Sequence, residues 1–329
     1  MTASCKKPPF IHQGKSVSAM MGDQALTLLL LLIVPAMYYG FRVLAMAAVT
    51  VAVCVACEIL CCLLEKKEIH FRESSSVVTG LLITMMMPAG ISFWVPATAV
   101  AFAVFVAKAP FGFLGRTPFH PAAAGVVFAT LCWPGKMFLY PDMEKGISLP
   151  LFEDCYQLPS VQGPAAALKD GVRPDMVPLE MLWGQYAGPI GATPILVIAA
   201  CGLYLFVRRT ADWRMTAGFL AAAALYAALF PRVIGSPLTS VKYELMAGTL
   251  FFCAVFLVTE PTTSPRSIPG KYCYGALAGL MTMLFRNFGV YEQGACFALL
   301  LANAFAPVID NAICQYRIGR EEKHERKRG

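Results

Sequence analysis

The sequence predicts an all-α, polytopic membrane protein of about ten transmembrane helices. Three observations predict it. Of 329 residues, 57% are hydrophobic and only 14% are charged, with a mean hydropathy of +0.61, whereas a soluble domain holds about 25% charged residues. Apolar segments of about 16 to 23 residues recur from end to end, the length that crosses a hydrocarbon core of about 30 Å. Short clusters of Pro, Gly and charge separate them, as loops between spans do.

The spans are expected at roughly 24–41, 43–64, 76–90, 92–108, 121–140, 190–207, 213–230, 244–259, 272–286 and 293–313. The N-terminal stretch MTASCKKPPFIHQGKSVSAMMGD lacks the order of charged region, apolar core and cleavage site of a signal peptide, so the first span reads as a retained helix. This divides the chain into an N-terminal tail (1–23), a first five-helix half (24–140), a loop (141–189), a second half (190–313) and a basic tail (314–329).

Charge sets the orientation. With the N-terminus in the cytoplasm, Lys6, Lys7, Lys15, Lys66, Lys67, Arg72, Lys108, Arg116, Arg208, Arg209, Arg214, Arg266, Lys271 and six basic residues from Arg317 to Arg328 face inward, 19 of the 27 in the chain. Arg42, Lys136, Lys145, Lys169, Arg173, Arg232, Lys242 and Arg286 are left outside. Both termini are therefore expected in the cytoplasm. The net charge of +7 follows from this bias and calls for the anionic lipid bilayer as a partner, not for a nucleic acid. The 12 cysteines fall mostly in or beside spans, where they read as small packing residues.

Ten spans divide into two sets of five, and an odd number per set makes the second copy inverted. SSVVTGLLITMMMPAG opens the third span and GSPLTSVKYELMAGTLFF the eighth, its counterpart. Each is followed by a Pro-rich, broken stretch, KAPFGFLGRTPFHPAAAGVVF or TEPTTSPRSIPGKYCYGALAGL. Interrupted helices at matching positions of inverted halves line a cavity rather than lipid.

Among single residues, Thr193 in GPIGATPIL stands before an apolar run, and its plainest reading is a helix N-cap. Ser75, Ser76, Thr79 and the Gly80 backbone form a polar helix start in SSVVTG. Glu58 and Asp310 read as boundary residues whose charge reaches the membrane surface. His120 in PFHPAAAG reads as a polar contact at a hinge, and Cys54, Cys57 and Cys61 read as helix-packing residues rather than cluster ligands. No catalytic residue, metal site, GxGxxG loop or P-loop is recognisable.

Six blocks in one order, PPFIHQGKSVSAMMGD, SSVVTGLLITMMMPAG, GFLGRTPFHPAAAG, GPIGATPIL with GLYLFVRRTADWR, FFCAVFLVTEPTTSPRSIPGKYCYGALAGLMTMLFRNFG and LLANAFAPVID, resemble the membrane subunits shared by the Rnf ion-pumping ferredoxin:NAD oxidoreductase and the sodium-pumping NADH:quinone oxidoreductase. The length and short N-terminal tail are more similar to the Rnf D-type member than to the quinone reductase B-type member. The resemblance implies a fold similar to urea and ammonium transporters. It also implies electron transfer coupled to sodium or proton movement, in a bacterial inner-membrane complex with iron–sulfur and flavin sibling subunits.

It further implies that Thr193 holds FMN by a phosphoester set by a separate flavin transferase. Gly191 and Ala192 would leave room for it, and the positive end of the following helix would face the phosphate. The commonest attachment motif has Ser or Thr three residues before the acceptor, where this chain has Ile190. A second, non-covalent flavin such as riboflavin is implied near the cytoplasmic half, with Ser75, Ser76, Thr79 and Gly80 as candidate pocket residues. Three functional classes follow: a flavin-bearing subunit of a redox-driven ion pump that has no activity alone, a urea- or ammonium-type channel without flavin, and a cofactor-free scaffold. A flavin acceptor at Thr193 separates the first from the others, since fold alone decides nothing.

Overall fold

The computed structural model describes residues 17–64, 75–111, 117–141, 149–151, 160–233 and 236–325, and over these the chain is an all-α polytopic membrane protein. The basic residues Lys6, Lys7, Lys15, Lys66, Lys67, Arg72, Arg116, Lys145, Arg326, Lys327 and Arg328 lie outside the described residues.

The first half opens with α1 (Val17–Tyr39) and α2 (Phe41–Leu64), of 23 and 24 residues, each about 35 Å long at 1.5 Å per residue and so able to cross a bilayer. Gly40, at φ 76°, makes the reversal between them in the left-handed region that a Cβ disfavours. Helix α3 (Ser75–Met85) has only 11 residues. It stops where Pro88 and Gly90 follow, and the chain stays irregular until α4 (Trp94–Phe102). Helix α4 continues through a π-helical turn (Ala103–Lys108) and a 3-10 turn (Ala109–Phe111). Helix α5 (Pro121–Cys132) has Pro at its first position, where the missing N–H costs nothing.

The connecting segment carries α6 (Pro134–Met137), the antiparallel pair β1 (Tyr140–Pro141) and β2 (Ser160–Val161), α7 (Pro164–Lys169) and α8 (Pro178–Trp183). The second half holds α9 (Ile195–Val207), α10 (Trp213–Leu229), α11 (Pro237–Met246) and α12 (Leu250–Phe252), which runs into a π-helical turn (Cys253–Leu257). Helices α11 and α12 are bent by 70° at Ala247–Thr249. Helices α13 (Ile268–Phe288) and α14 (Ala295–Glu325) complete the chain. Helix α14 runs well beyond the expected end of the tenth span, so the segment read as a basic tail begins as its continuation.

Among the described residues, α1, α2, Trp94–Phe111 and Ala295–Tyr316 are long and apolar enough to cross a membrane, and α11 with Leu250–Leu257 reaches that length and apolarity only as a bent pair, a broken span or a re-entrant loop. Helices α3, α5, α9 and α10 are shorter and apolar, and α13 has 21 residues. Together they occupy the positions of the ten expected spans.

Close packing depends on small residues, because lipid supplies no hydrophobic force between helices. Gly275 and Gly279 of α13 lie against the Met215 and Phe219 carbonyls of α10, and a Cβ at Gly218 would stand 2.7 Å from the Tyr272 carbonyl. In the first half Gly80 meets α2 at Val51, where a Cβ would be 3.0 Å from the Val51 Cα. Leu28, Leu31, Met46, Phe252 and Phe256 are fully enclosed, whereas Ile33, Met37, Phe41 and Leu63 are exposed and face where the acyl chains lie.

Candidate functional site: the junction of two interrupted helices

The turn before α9 is tied to both broken spans. Where α3 ends, its last carbonyls lose their helical partners. Met85 O accepts from the Gly191 N–H at 2.7 Å and Met87 O from the Ile190 N–H at 3.0 Å. The Tyr186 hydroxyl, fully buried, lies 3.4 Å from Ala192 O and 3.2 Å from Met246 O at the end of α11. One short loop thus joins the interruption of the third span to that of the eighth.

Glycine makes this approach possible. A Cβ at Gly191 would stand 2.5 Å from the Met85 Cβ, so the space expected at Gly191 for a ligand is filled by α3 instead. A Cβ at Gly188 would be 2.9 Å from the Thr193 methyl. Gly184 has φ 81° and lies against Pro194.

Thr193 is 2% exposed. The N-cap position of α9 is Pro194, with no side-chain cap bond, and among the described residues no hydrogen bond reaches the Thr193 hydroxyl. The plain capping reading is therefore not the role it plays. Its carbonyl accepts from the Ile195 N–H at 3.0 Å. The hydroxyl is left at the N-terminal end of a 13-residue helix, where partial positive charge favours an anion.

Two buried arginines hold the interruptions open. Arg42, 1% exposed, donates to Ala89 O (3.1 Å), Ile91 O (3.0 Å) and Pro150 O (2.7 Å). Arg286, 3% exposed, donates to Glu244 O (2.8 Å), to the Glu244 carboxylate (3.2 Å) and to Ala247 O. Arg232 stands 3.6 Å from the same carboxylate and donates to Asn287 Oδ1 at 2.7 Å. A helix C-terminus carries partial negative charge and orphan carbonyls, and a guanidinium with five N–H donors answers both. Arg42 and Arg286, which the charge bias counts on the outer side, are thus buried structural groups.

The second candidate region lies at the other end of α3, about 15 Å along an 11-residue helix. Ser75 and Thr79 line a cavity of about 20 Å³ with Lys108, Thr117, His120 and Glu260. That is space for a water, against about 300–1,000 Å³ for a small-molecule site. Ser76 is buried, and the Gly80 carbonyl accepts from the Thr84 hydroxyl at 2.9 Å. Thr79 donates back to Ser75 O at 2.9 Å.

His120 caps α5, its Nδ1 accepting from the Ala123 N–H at 3.4 Å. Its Nε2 is buried without a hydrogen bond, 3.8 Å from Glu260 Oε2. Glu58 does not reach for the surface as expected but pairs with Lys108, itself 2% exposed. Asp310 accepts from the Arg266 N–H (3.0 Å) and the Ser267 hydroxyl (2.9 Å), holding the start of α13.

Beside the first junction, in the loop before α14, Glu292 accepts from the Tyr140 hydroxyl at 3.3 Å. Burial pushes its carboxyl up to about 7, against smaller opposing effects of Tyr140, Arg286 and Lys169.

Tyr186, Arg42, Arg286 and Glu244 escaped the sequence reading. For Arg42, Arg286 and Glu244 a charge at the edge of an apolar run was the signal, but adjacency to a span end is equally the mark of an ordinary loop charge, and Tyr186 carried no signal.

The NQR2, RnfD, RnfE family model matches residues 4–319. The chain is 29% identical to the D component of the ion-translocating oxidoreductase complex of Cronobacter sakazakii, over 92% of this chain and 95% of the relative. It is 28% identical to the protein of the same name from Klebsiella pneumoniae, over 92% and 95%, and 29% identical to that of Mannheimia succiniciproducens, over 92% and 94%. The chain, an all-α membrane protein whose two interrupted helices meet at one glycine-rich turn, belongs to the NQR2, RnfD, RnfE family.

Proposed function

We propose that the chain is the flavin-carrying membrane subunit of an Rnf-type ion-translocating oxidoreductase, with FMN joined to Thr193 by a phosphoester. Electron passage through the subunit would drive sodium or proton movement. The cavity of about 20 Å³ at the Ser75, Ser76, Thr79 and Gly80 end of α3 does not fit a second, non-covalent flavin, so no step is routed through one there. The observation that carries the reading is the unbonded Thr193 hydroxyl at a helix N-terminus, in the turn that joins both interrupted spans. A flavin there would supply reversible electron transfer. The residues of this chain would position it, because the turn cannot shift without pulling on the ends of α3 and α11.

The relatives are named as components of an ion-translocating complex and match over nearly their whole length, which favours the D-type member over the quinone reductase B-type member. On this reading the two five-helix halves are inverted copies, and the chain sits in the bacterial inner membrane with both termini cytoplasmic. Sibling iron–sulfur and flavin subunits supply the remaining electron carriers. Because Thr193 is 2% exposed, attachment by the flavin transferase precedes closure of the turn onto α3.

When the chain is made with a flavin transferase, the denatured band is expected to fluoresce under ultraviolet light after electrophoresis in detergent. Thr193→Val removes the oxygen that would be esterified while keeping the shape, so the fluorescence is expected to vanish while the protein still inserts; Thr193→Ser retains part of it. A fluorescent valine variant, or a dark wild type with the transferase present, would favour the urea- or ammonium-type channel instead.

A further inference from the structure

At the end of the molecule where α9 turns into α10 and α13 begins, a cavity of about 700 Å³ is lined by Arg209, Asp212, Trp213, Arg214, Arg266 and Lys271 among others. Neither the flavin reading nor the family match assigns it a role. Its volume is that of a small-molecule site, and its charge is one-sided: four cations stand against one carboxylate.

Asp212 is fully engaged. It accepts from Lys271 Nζ at 2.7 Å, lies 3.7 Å from Arg214 and caps α10 through the Arg214 N–H at 3.2 Å. Burial by itself would raise the Asp212 carboxyl, yet these bonds to Lys271 and Arg214 hold it below its ordinary value, so it stays anionic and committed. Among the described residues the side chains of Arg209 and Arg266 make no hydrogen bond or ion pair. Arg266 feels only the longer-range attraction of Asp310, which is itself bonded to the Arg266 and Ser267 backbone. Arg209 also holds φ 55°, a left-handed backbone that a residue with a Cβ adopts at a cost.

The N-termini of α10 (17 residues) and α13 (21 residues) both begin at this cavity, adding partial positive charge to the two guanidinium groups. Next to it, Leu203, Val207 and Trp213 are exposed and apolar, as a lipid-facing flank is.

We propose that this cavity is a binding site for a phosphate-bearing anion, with Arg209 and Arg266 as its principal ligands. The two sources of that chemistry are an anionic phospholipid headgroup, whose acyl chains would lie along the exposed side of α9, and free phosphate. The proposal does not depend on a flavin at Thr193.

The test uses the purified full-length chain in neutral mixed micelles containing phosphatidylglycerol or phosphatidylcholine at equal mole fraction, with retained lipid counted by native mass spectrometry. Wild type is expected to retain phosphatidylglycerol preferentially. Arg209→Gln with Arg266→Gln is expected to weaken that retention about twenty-five-fold, from about five-fold for each surface cation removed. Asp212→Asn, which keeps an N-cap while removing the one anion, is expected to strengthen it. Displacement by millimolar inorganic phosphate would assign the site to a free anion; persistence would assign it to the headgroup.

Equal retention of the two lipids by wild type, or a double variant that folds and keeps the preference, overturns the proposal. So does an Asp212→Asn variant that weakens retention, which decides the matter even if the double variant fails to fold. Binding of a peripheral sibling subunit that is lost in the double variant, with no lipid preference in the isolated chain, would make the cavity a protein docking surface and overturn it equally.

Discussion

Replacing Gly191 by alanine tests whether the turn before α9 is locked to α3. The new methyl carbon would stand 2.5 Å from the Met85 Cβ and 2.8 Å from its Cγ, and the Met85 Cβ cannot swing aside because it is fixed to the backbone of α3. Either the turn or the end of α3 must move. Such overpacking costs about 1–3 kcal/mol, and movement also weakens the 2.7 Å bond from the Gly191 N–H to Met85 O, worth about 1 kcal/mol. A total loss of about 2–4 kcal/mol is expected, read by denaturant titration of the purified chain in mixed micelles.

Met85→Ala in the same chain removes the sulfur and Cγ but leaves the Cβ, so the double variant is expected to recover only part of the loss. The coupling should exceed about 0.5 kcal/mol, the range seen for residues in contact. Wild-type stability in Gly191→Ala, or strictly additive effects with Met85→Ala, would refute the locked junction.

Arg286→Met leaves Glu244, 2% exposed, without its closest cation and is expected to cost about 3–5 kcal/mol; adding Glu244→Gln should return part of this, and the same titration measures both. Gly279→Ala places a methyl against the Phe219 carbonyl of α10 and is expected to lower the thermal midpoint, while alanine at the open position Gly22 does not. Glu292 has a carboxyl raised from 4.5 to about 7, so the folded protein holds this proton more tightly than the unfolded chain. The associated stability is present below about pH 4.5 and is lost as pH rises through 7, an order-of-magnitude effect of about 3 kcal/mol. Glu292→Gln is expected to flatten that decline in a pH series of thermal midpoints, and an unchanged slope would count against the buried carboxyl.

By itself the sequence determined the membrane setting and the helical class. Long apolar runs have one stable solution in lipid, a helix that satisfies its own backbone, so composition and spacing predicted an all-α polytopic chain. The breaks they marked lay in KAPFGFLGRTPFHPAAAGVVF and TEPTTSPRSIPGKYCYGALAGL, and only the structure shows the interruptions at MMMPAG and ELMAGT. The family blocks singled out Thr193 and the SSVVTG turn. What surrounds those residues was decided only by the tertiary structure.

No local pattern shows that Gly191 is a glycine because Met85, more than a hundred positions earlier, fills its side-chain space, or that Tyr186 reaches the end of α11. Nor does charge distinguish Arg42 and Arg286, which donate to the carbonyls at the two interruptions and hold them open, from arginines in loops. A span end and a buried guanidinium site look alike along the chain. They differ in which orphan carbonyls lie within about 3 Å, and that depends on how distant helices pack.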